Sequence, residues 1–185
     1  MADIEIPKYK IIEASGSIEI REYEPSLLAE VEVEGERKEA INNGFRILAD
    51  YIFGNNLSQQ KIAMTAPVTQ KSGEKIAMTA PVNQTQEGDL WKIQFTMPSS
   101  YTIDNLPKPN NAKVKIIEAP KRRCVAIRFS GFWWDRKLKK KLHELEAFLD
   151  DKKLKVIGEP IYAFYNPPWT LPFLRRNEIQ YYLQD

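Results

Sequence analysis

Two segments of the chain repeat one pattern of apolar and polar positions, and the pattern predicts strands. Residues 18–35 read IEIREYEPSLLAEVEVEG and residues 114–131 read VKIIEAPKRRCVAIRFSG, so the second copy starts 96 positions after the first. In both copies apolar residues alternate with polar ones on either side of a short proline-containing turn, and each copy ends in glycine. We predict a strand–turn–strand unit that occurs twice in the chain.

An amphipathic helix is predicted directly after each copy. Residues 36–54 and 135–153 carry apolar residues three or four positions apart, which places them on one side of a helix. The predicted core positions are Ile41, Phe45, Leu48 and Ile52 in the first helix, and Leu138, Leu142, Leu145 and Leu149 in the second. Strands follow both helices, at LWKIQFTM in the first half and at PIYAFYN and EIQYYL in the second.

The predicted elements describe an α+β fold with pseudo-twofold duplicated halves, an antiparallel sheet and two main α-helices. The length favours one domain over residues 1–185, with half one at about 11–97, a connection at 98–111 and half two at about 112–185. Ligand clefts tend to form where such halves meet. We therefore expect any small-molecule site to lie between the halves.

The word KIAMTAPV occurs twice, at residues 61–68 and 75–82. Apolar positions with a period of two in each copy predict two strands, and the polar segment TQKSGE between them predicts a hairpin. Proline lacks the N–H that the interior of a strand donates, so we expect Pro67 and Pro81 at strand ends or at a sheet edge. The repetition is interpreted as architectural.

The net charge of the chain is too small for the whole molecule to attract a charged partner. The chain has 27 basic and 25 acidic residues, a net charge of +2, so no nucleic-acid partner is expected and any electrostatic binding has to be local. One cysteine excludes an intrachain disulfide, and no stretch approaches the ~18 apolar residues of a membrane span. We expect a soluble, cytoplasmic protein.

Few residues of the sequence are suited to catalysis or metal binding. His143 is the single histidine, which excludes a His–His metal pair; it is interpreted as a solvated helix residue, with an axial haem ligand or a general base as the alternative. Cys124 lies in an apolar strand without a partner that would activate it, and is interpreted as a structural thiol. No catalytic residue or metal ligand is predicted, and we do not expect an enzyme.

Two aromatic segments are candidates for ligand binding. GFWWDR, residues 131–136, lies at the start of the second helix, and YNPPWTLPFLRRNE, residues 165–178, forms a proline-rich loop. Exposed rings beside arginines suit a flat apolar ligand with acid groups; the alternative is a loop folded onto the core with its arginines paired to carboxylates. The sequence leaves both open. The basic run at residues 136–141 is interpreted as a solvated helix face.

Several motifs taken together resemble the SOUL haem-binding protein family. They are KIAMTAPV, FTMPSSYT, LPKPNN, the FSG before the second helix and YNPPWTLPFLRRNE, and they span the chain from about residue 11 to residue 183. The resemblance implies a distorted antiparallel β-barrel of two similar halves, related in shape to bacterial effector-binding domains. It also implies binding of haem or another tetrapyrrole, as a cofactor that folding does not require and without a settled enzymatic activity.

The resemblance further implies a haem surface formed by the first helix and the late proline-rich loop. In this sequence the apolar residues of that surface are Ile41, Phe45, Leu48 and Ala49 on the helix, and Trp169, Leu171 and Phe173 in the loop.

The charged positions of the family depart from its pattern in this chain. Positions that are basic in animal members are here Asn42, Asp50 and Thr170, and a candidate axial histidine on an early strand is missing. The propionate partners are then expected to be Arg46, Arg175 and Arg176.

The expected function is therefore tetrapyrrole binding in an apolar groove with arginine–propionate contacts. The alternative is a small-molecule effector-binding or protein-interaction module that does not use haem. The oligomeric state stays open.

Overall fold

The computed structural model of the protein describes residues 4–59 and 73–184. Within these residues it contains two α-helices, α1 Arg37–Ile52 and α2 Asp135–Lys152, and a short 3-10 helix, Pro172–Leu174. The strands are β1 Tyr9–Ser15, β2 Ile18–Tyr23, β3 Ser26–Glu34, β4 Asn56–Leu57, β5 Val82–Glu87, β6 Leu90–Thr96, β7 Lys108–Pro109, β8 Lys115–Ala119, β9 Arg122–Phe129, β10 Val156–Phe164 and β11 Asn177–Leu183.

Nine of the described strands form one antiparallel sheet in the order β1-β2-β9-β11-β10-β5-β6-β3-β8, and β4 pairs with β7 beside it. The sheet is strongly curled and forms a half-barrel. The two helices and this sheet confirm the predicted α+β fold with a distorted antiparallel barrel. Neither α-helix of the described residues has the length and apolar character that a membrane crossing requires.

The sheet order reflects the duplication that the sequence predicts. β2 and β3 lie in the first copy of the repeated unit, and β8 and β9 lie in the second. Read from β2 to β8, the order is symmetric about the pairing of β10 with β5. β2 pairs with β9, and β8 pairs with β3, so the first strand of each repeated unit pairs with the second strand of the other unit.

Both helices lie on one side of the sheet, each over its own core. α1 covers a cluster that includes Val31, Ile93 and Phe95, and α2 covers one that includes Val125, Ile127 and Ile179. The sequence predicted the helices correctly but placed the contact stripe of α1 slightly off. Its buried residues are Ala40, Gly44, Leu48, Tyr51 and Ile52, whereas Ile41 is half-buried and Phe45 is exposed.

The opposite side of the sheet carries a buried polar network. Arg21 of β2 donates to both carboxylate oxygens of Glu178 on β11, at 2.7 and 3.0 Å. Arg176, Tyr165 and Gln180 also donate to this carboxylate. A buried charge is tolerated when it is paired and fully hydrogen-bonded, so this network satisfies the physical requirement for an ionised carboxylate at this depth.

The predicted strand over the second KIAMTAPV word is wrong. Residues 75–81 are irregular, and β5 begins only at Val82. The backbone N–H of Ile76 donates to the carbonyl of Ile52 at the end of α1, and that of Ala80 donates to Glu5, so these groups have no neighbouring strand as partner. Pro81 directly precedes β5, at a strand end as predicted. The first word lies outside the described residues, and with it the predicted hairpin.

Candidate functional site

A strip of the sheet between α1 and α2 carries a row of apolar side chains. Phe164 of β10 pairs with Val82 of β5, and Val82 pairs with Phe95 of β6. Directly paired residues of antiparallel strands project from the same side of a sheet, and two strand spacings separate the ends of the row by about 10 Å. This row lies on the side that both helices cover.

An aromatic residue contacts each end of this row. Phe45 of α1 packs on Phe95 with ring centroids 5.4 Å apart, and Trp133 packs on Phe164 at 5.1 Å. Phe45 is 39% exposed and Trp133 is 45% exposed, so both rings present apolar surface to solvent. We call the row and its two flanking rings the interhelical valley.

The helix N-termini enclose a cleft further along the same strip, which we call the N-terminal cleft. Its volume is about 910 Å³. Trp91 and Tyr162 lie in its lining, and both project from the same side of the sheet as the valley row, since they are an even number of residues from Phe95 and Phe164. The volume lies in the range of small-molecule sites, about 300–1,000 Å³.

Arg37 is the central charged residue of the N-terminal cleft. Its guanidinium lies between two rings, 5.6 Å from the centroid of Trp91 and 5.4 Å from that of Tyr162. One nitrogen, Nη1, donates to Asp135 of α2 at 3.0 Å. Nε and Nη2 are buried and have no hydrogen-bond partner among the described residues. Within the described part of the chain, two donors of this guanidinium are therefore unsatisfied.

The remaining polar lining of the cleft is mainly acidic. Glu36, Asp89, Asp135 and Glu159 lie there and are exposed, against Arg37 and Lys139. Oε1 of Gln84, the residue that pairs with Tyr162, is also buried without a hydrogen-bond partner among the described residues. The cleft therefore offers aromatic faces and free arginine donors below an acidic rim.

The late loop projects its apolar residues into solvent. Trp169 is 83% exposed, Phe173 is 70% exposed and Leu171 is 55% exposed, so the loop is not folded onto the core. Both of its arginines have partners, but only Arg176 pairs with a carboxylate as the alternative interpretation expects. Arg175 donates to the carbonyls of Thr170 and Pro168 within the loop, and Arg176 pairs with Glu178 at 2.8 Å.

The α1 residues of the expected haem surface lie in three different places around the helix. Ile41, Phe45 and Ala49 lie four residues apart on the stripe of α1 that begins at Arg37. Leu48 is fully buried beneath the helix, and Arg46 lines a separate hollow beside β3. Among the described residues, no hydrogen bond, ion pair or ring contact joins α1 to the late loop.

The two candidate reactive residues differ in burial. His143 is exposed on α2 and is not among the described residues that line the N-terminal cleft. Cys124 is fully buried in β9, and burial raises the pKa of its thiol to about 12. Within the described part of the chain, no group of three or more histidine, cysteine or carboxylate residues is arranged as metal ligands.

Comparison with known proteins identifies the family. The model of the family described as "SOUL heme-binding protein" matches residues 4–182. The chain belongs to the SOUL haem-binding protein family. It is similar to "Heme-binding protein 2" of Homo sapiens, with 32% identity over 183 residues that cover 95% of this chain and 84% of the relative. The protein of the same name from Mus musculus is 30% identical over 184 residues.

Solved structures show the same fold at low sequence identity. The C-terminal domain of EcmrR has a TM-score of 0.65 and 10% identity, covering 96% of this SOUL-family chain and 98% of the domain. A structure described as a hydrolase from Listeria innocua has a TM-score of 0.60 and 12% identity, covering 94% of each chain. These likenesses concern the fold alone.

Sequence reasoning missed several residues of the valley and the cleft. Arg37, Trp91 and Tyr162 received no role, and Trp133 was noted only as part of an aromatic segment. The period-two positions of Tyr162 and Phe164 in PIYAFYN were a usable signal, since they place both rings on one side of a strand. That this side faces α1 follows only from the sheet order.

Proposed function

We propose that the protein binds haem or a related tetrapyrrole in the interhelical valley, with the macrocycle against Phe45 and Trp133. The observation that carries the proposal is the pair of half-exposed aromatic rings on either side of the Phe164–Val82–Phe95 row. Membership of the SOUL family supports haem as the ligand class. The similar proteins of Homo sapiens and Mus musculus both carry the name "Heme-binding protein 2".

Apolar contact supplies the main attraction in this proposal. A macrocycle face removed from water gains about 25 cal/mol per Å², and part of that gain offsets the cost of association. The row and its two flanking rings consist of Phe, Val and Trp, none of which would serve as an axial ligand to the iron. We therefore expect similar affinity for hemin and for iron-free protoporphyrin.

Arg37 is the proposed partner of one propionate. Its Nε and Nη2 have no acceptor among the described residues, whereas Arg175 and Arg176, the partners expected from the resemblance, already bind loop carbonyls and Glu178. Arg46 lies on the other flank of α1, beside β3. A carboxylate at Arg37 would form charge-assisted hydrogen bonds, although it would share the guanidinium with Asp135.

A contribution of the late loop to tetrapyrrole binding stays a prediction that rests on the family resemblance alone. It starts directly after Phe164 and therefore borders the valley. Trp169, Leu171 and Phe173 would extend the apolar wall if the loop closed on the ligand. In the proposed arrangement the macrocycle contacts the valley without them, so a comparison of the two aromatic pairs separates these arrangements.

Titration of hemin and protoporphyrin, followed by absorbance and by quenching of tryptophan fluorescence, tests the proposal. The double variant Phe45→Ala with Trp133→Ala should bind both ligands about tenfold or more weakly, because it loses two apolar contacts. Trp169→Ala with Phe173→Ala is the matched aromatic control and should change affinity little. If the first variant binds with unchanged affinity, the valley is not the site. If only the second variant loses affinity, the site lies at the late loop.

His143→Ala tests the axial alternative in the same titration. Because His143 is exposed and does not line the cleft, we expect the absorbance band of bound hemin to be the same in the variant. A changed band would make His143 an axial ligand.

The acidic rim favours a second candidate function, binding of a small organic cation in the N-terminal cleft. Two aromatic faces and exposed carboxylates suit such a ligand, and this is the effector-binding alternative in concrete form. Benzyltrimethylammonium is a simple probe for calorimetry. This candidate would be supported over the first by two results together: the protein takes up no hemin, and it binds the probe saturably. The double variant Glu159→Gln with Asp89→Asn should then bind the probe more weakly.

A further inference from the structure

Six apolar side chains form an exposed surface beside the start of α2. We call it the aromatic apex, and its exposed fractions run from 48% at Phe132 to 83% at Trp169. Its members are Phe132, Trp134, Trp169, Leu171, Phe173 and Leu174. Monomeric proteins seldom expose so many large apolar side chains together unless the surface binds something.

Hydrogen bonds fix the two segments of the apex to each other. The N–H of Gly131 donates to the carbonyl of Pro172 at 2.8 Å, and Asn177 donates to the carbonyl of Gly131 at 3.0 Å. Phe132 stacks on Trp134 at 5.6 Å, and the guanidinium of Arg175 lies 5.4 Å from the ring centroid of Phe132. The backbone is therefore held in a form that directs these side chains outward.

The charge of the two segments differs in sign from that of the remaining chain. Residues 131–140 and 166–178 contain six basic and two acidic residues, a charge of +4, which leaves −2 for the remainder of a chain whose net charge is +2. Arg136, Lys139 and Lys140 are exposed on the first turns of α2. The acidic residues pair with arginines, Asp135 with Arg37 and Glu178 with Arg176. Exposed positive charge of α2 thus lies beside the apolar surface.

From these observations we propose that the aromatic apex docks on the surface of an anionic lipid bilayer. Tryptophan and phenylalanine insert at the boundary between headgroups and acyl chains, and neighbouring lysine and arginine attract anionic headgroups. The six side chains project into solvent, and none of them lines the N-terminal cleft or the hollow at Arg46 into which a partner's side chain could insert. A soft bilayer fits this shape. The inference does not rest on tetrapyrrole binding.

Cosedimentation of the full chain with lipid vesicles tests the proposal. Wild-type protein should bind vesicles of phosphatidylcholine with phosphatidylserine, bind pure phosphatidylcholine about tenfold more weakly, and be released by added salt. Trp169→Ala with Phe173→Ala should lower partitioning into the mixed vesicles by about tenfold or more. Phe53→Ala is the control, since Phe53 is an exposed aromatic residue at the end of α1, outside the apex.

A depth measurement provides a second readout that does not depend on loss of binding. Brominated lipids should quench the tryptophan fluorescence of the wild type, and Trp169→Phe should keep vesicle binding but lose a large part of the quenching. The proposal is overturned if the wild type does not bind mixed vesicles, if the double variant binds as well as the wild type, or if bound protein shows no quenching. A protein partner that covers the apex in place of lipid would also overturn it.

Discussion

The guanidinium of Arg37, in the first turn of α1, donates a 3.0 Å hydrogen bond to the carboxylate of Asp135, in the first turn of α2. The two helices that belong to the two halves of the duplication thus meet above the N-terminal cleft. The side chain of Asp135 is 82% exposed, so the pair contributes little to stability. Its importance lies in the competition between Asp135 and any ligand for the same arginine.

Asp135→Asn should raise the affinity for hemin about threefold to tenfold. The change removes a negative charge beside Arg37 and releases the guanidinium for a propionate. Fluorescence titration measures the effect, and protoporphyrin dimethyl ester, which has no carboxylates, is the control ligand whose affinity should not change. Equal gains for both ligands would contradict the arginine–propionate contact.

Glu178→Gln should destabilise the fold by about 3 kcal/mol near neutral pH, because it removes the buried carboxylate that pairs with Arg21 and Arg176. The fully buried Arg21 then keeps only the half-buried Glu19 as countercharge. Urea unfolding measures this loss. Glu159→Gln, a change at an exposed carboxylate of β10, is the matched control and should alter the free energy of unfolding little.

The stability lost in Glu178→Gln should decrease as the pH falls. Burial alone raises the pKa of Glu178, but hydrogen bonds and charges from Arg21 and Arg176 outweigh it and hold the pKa below its ordinary value of 4.5. A lowered folded-state pKa means that the stabilisation is complete above about 4.5 and disappears as the pH falls through the folded-state value. The difference between wild type and Glu178→Gln should therefore shrink in acid; a difference that grows there would refute the assignment.

Gly44→Ala should destabilise the protein by about 1–2 kcal/mol, although alanine is the better helix former. A Cβ at Gly44 would lie 2.6 Å from Cδ1 and 2.9 Å from Cγ1 of Ile93, beneath the helix. Ile93→Val removes Cδ1, so the double variant should be more stable than the sum of the two single losses predicts. Additive losses in thermal unfolding would show that the backbone, not Ile93, limits the space.

Cys124 should be almost unreactive in the native protein. Burial raises the pKa of its thiol to about 12, and its side chain is fully enclosed in β9. At about pH 8.5, where an ordinary thiol is half ionised, reaction with a disulfide reagent should be at least about a thousandfold slower than in denatured protein. Rapid native modification would contradict the structural interpretation.

The sequence by itself determined the elements and their duplication. Alternation at residues 18–35 and 114–131 and the helical spacing that follows each copy depend on local periodicity, so β2, β3, β8, β9 and both helices could be predicted. The motifs from KIAMTAPV to YNPPWTLPFLRRNE were sufficient to name the family, which the match over residues 4–182 confirms. Local periodicity also misled: the second KIAMTAPV word alternates like a strand, yet its backbone bonds to Ile52 and Glu5.

Only the tertiary structure decided which distant residues meet. Phe45 and Trp133 contact Phe95 and Phe164 on one row because β5 lies between β6 and β10, an order that no local pattern contains. The exchange of β2 and β8 between the halves likewise brings Arg21 to Glu178, 157 positions away in the chain. Periodicity acts over a few residues and fixes which side of an element is apolar. Strand order depends on how the apolar sides of all elements are buried together, so the site exists only in the assembled fold.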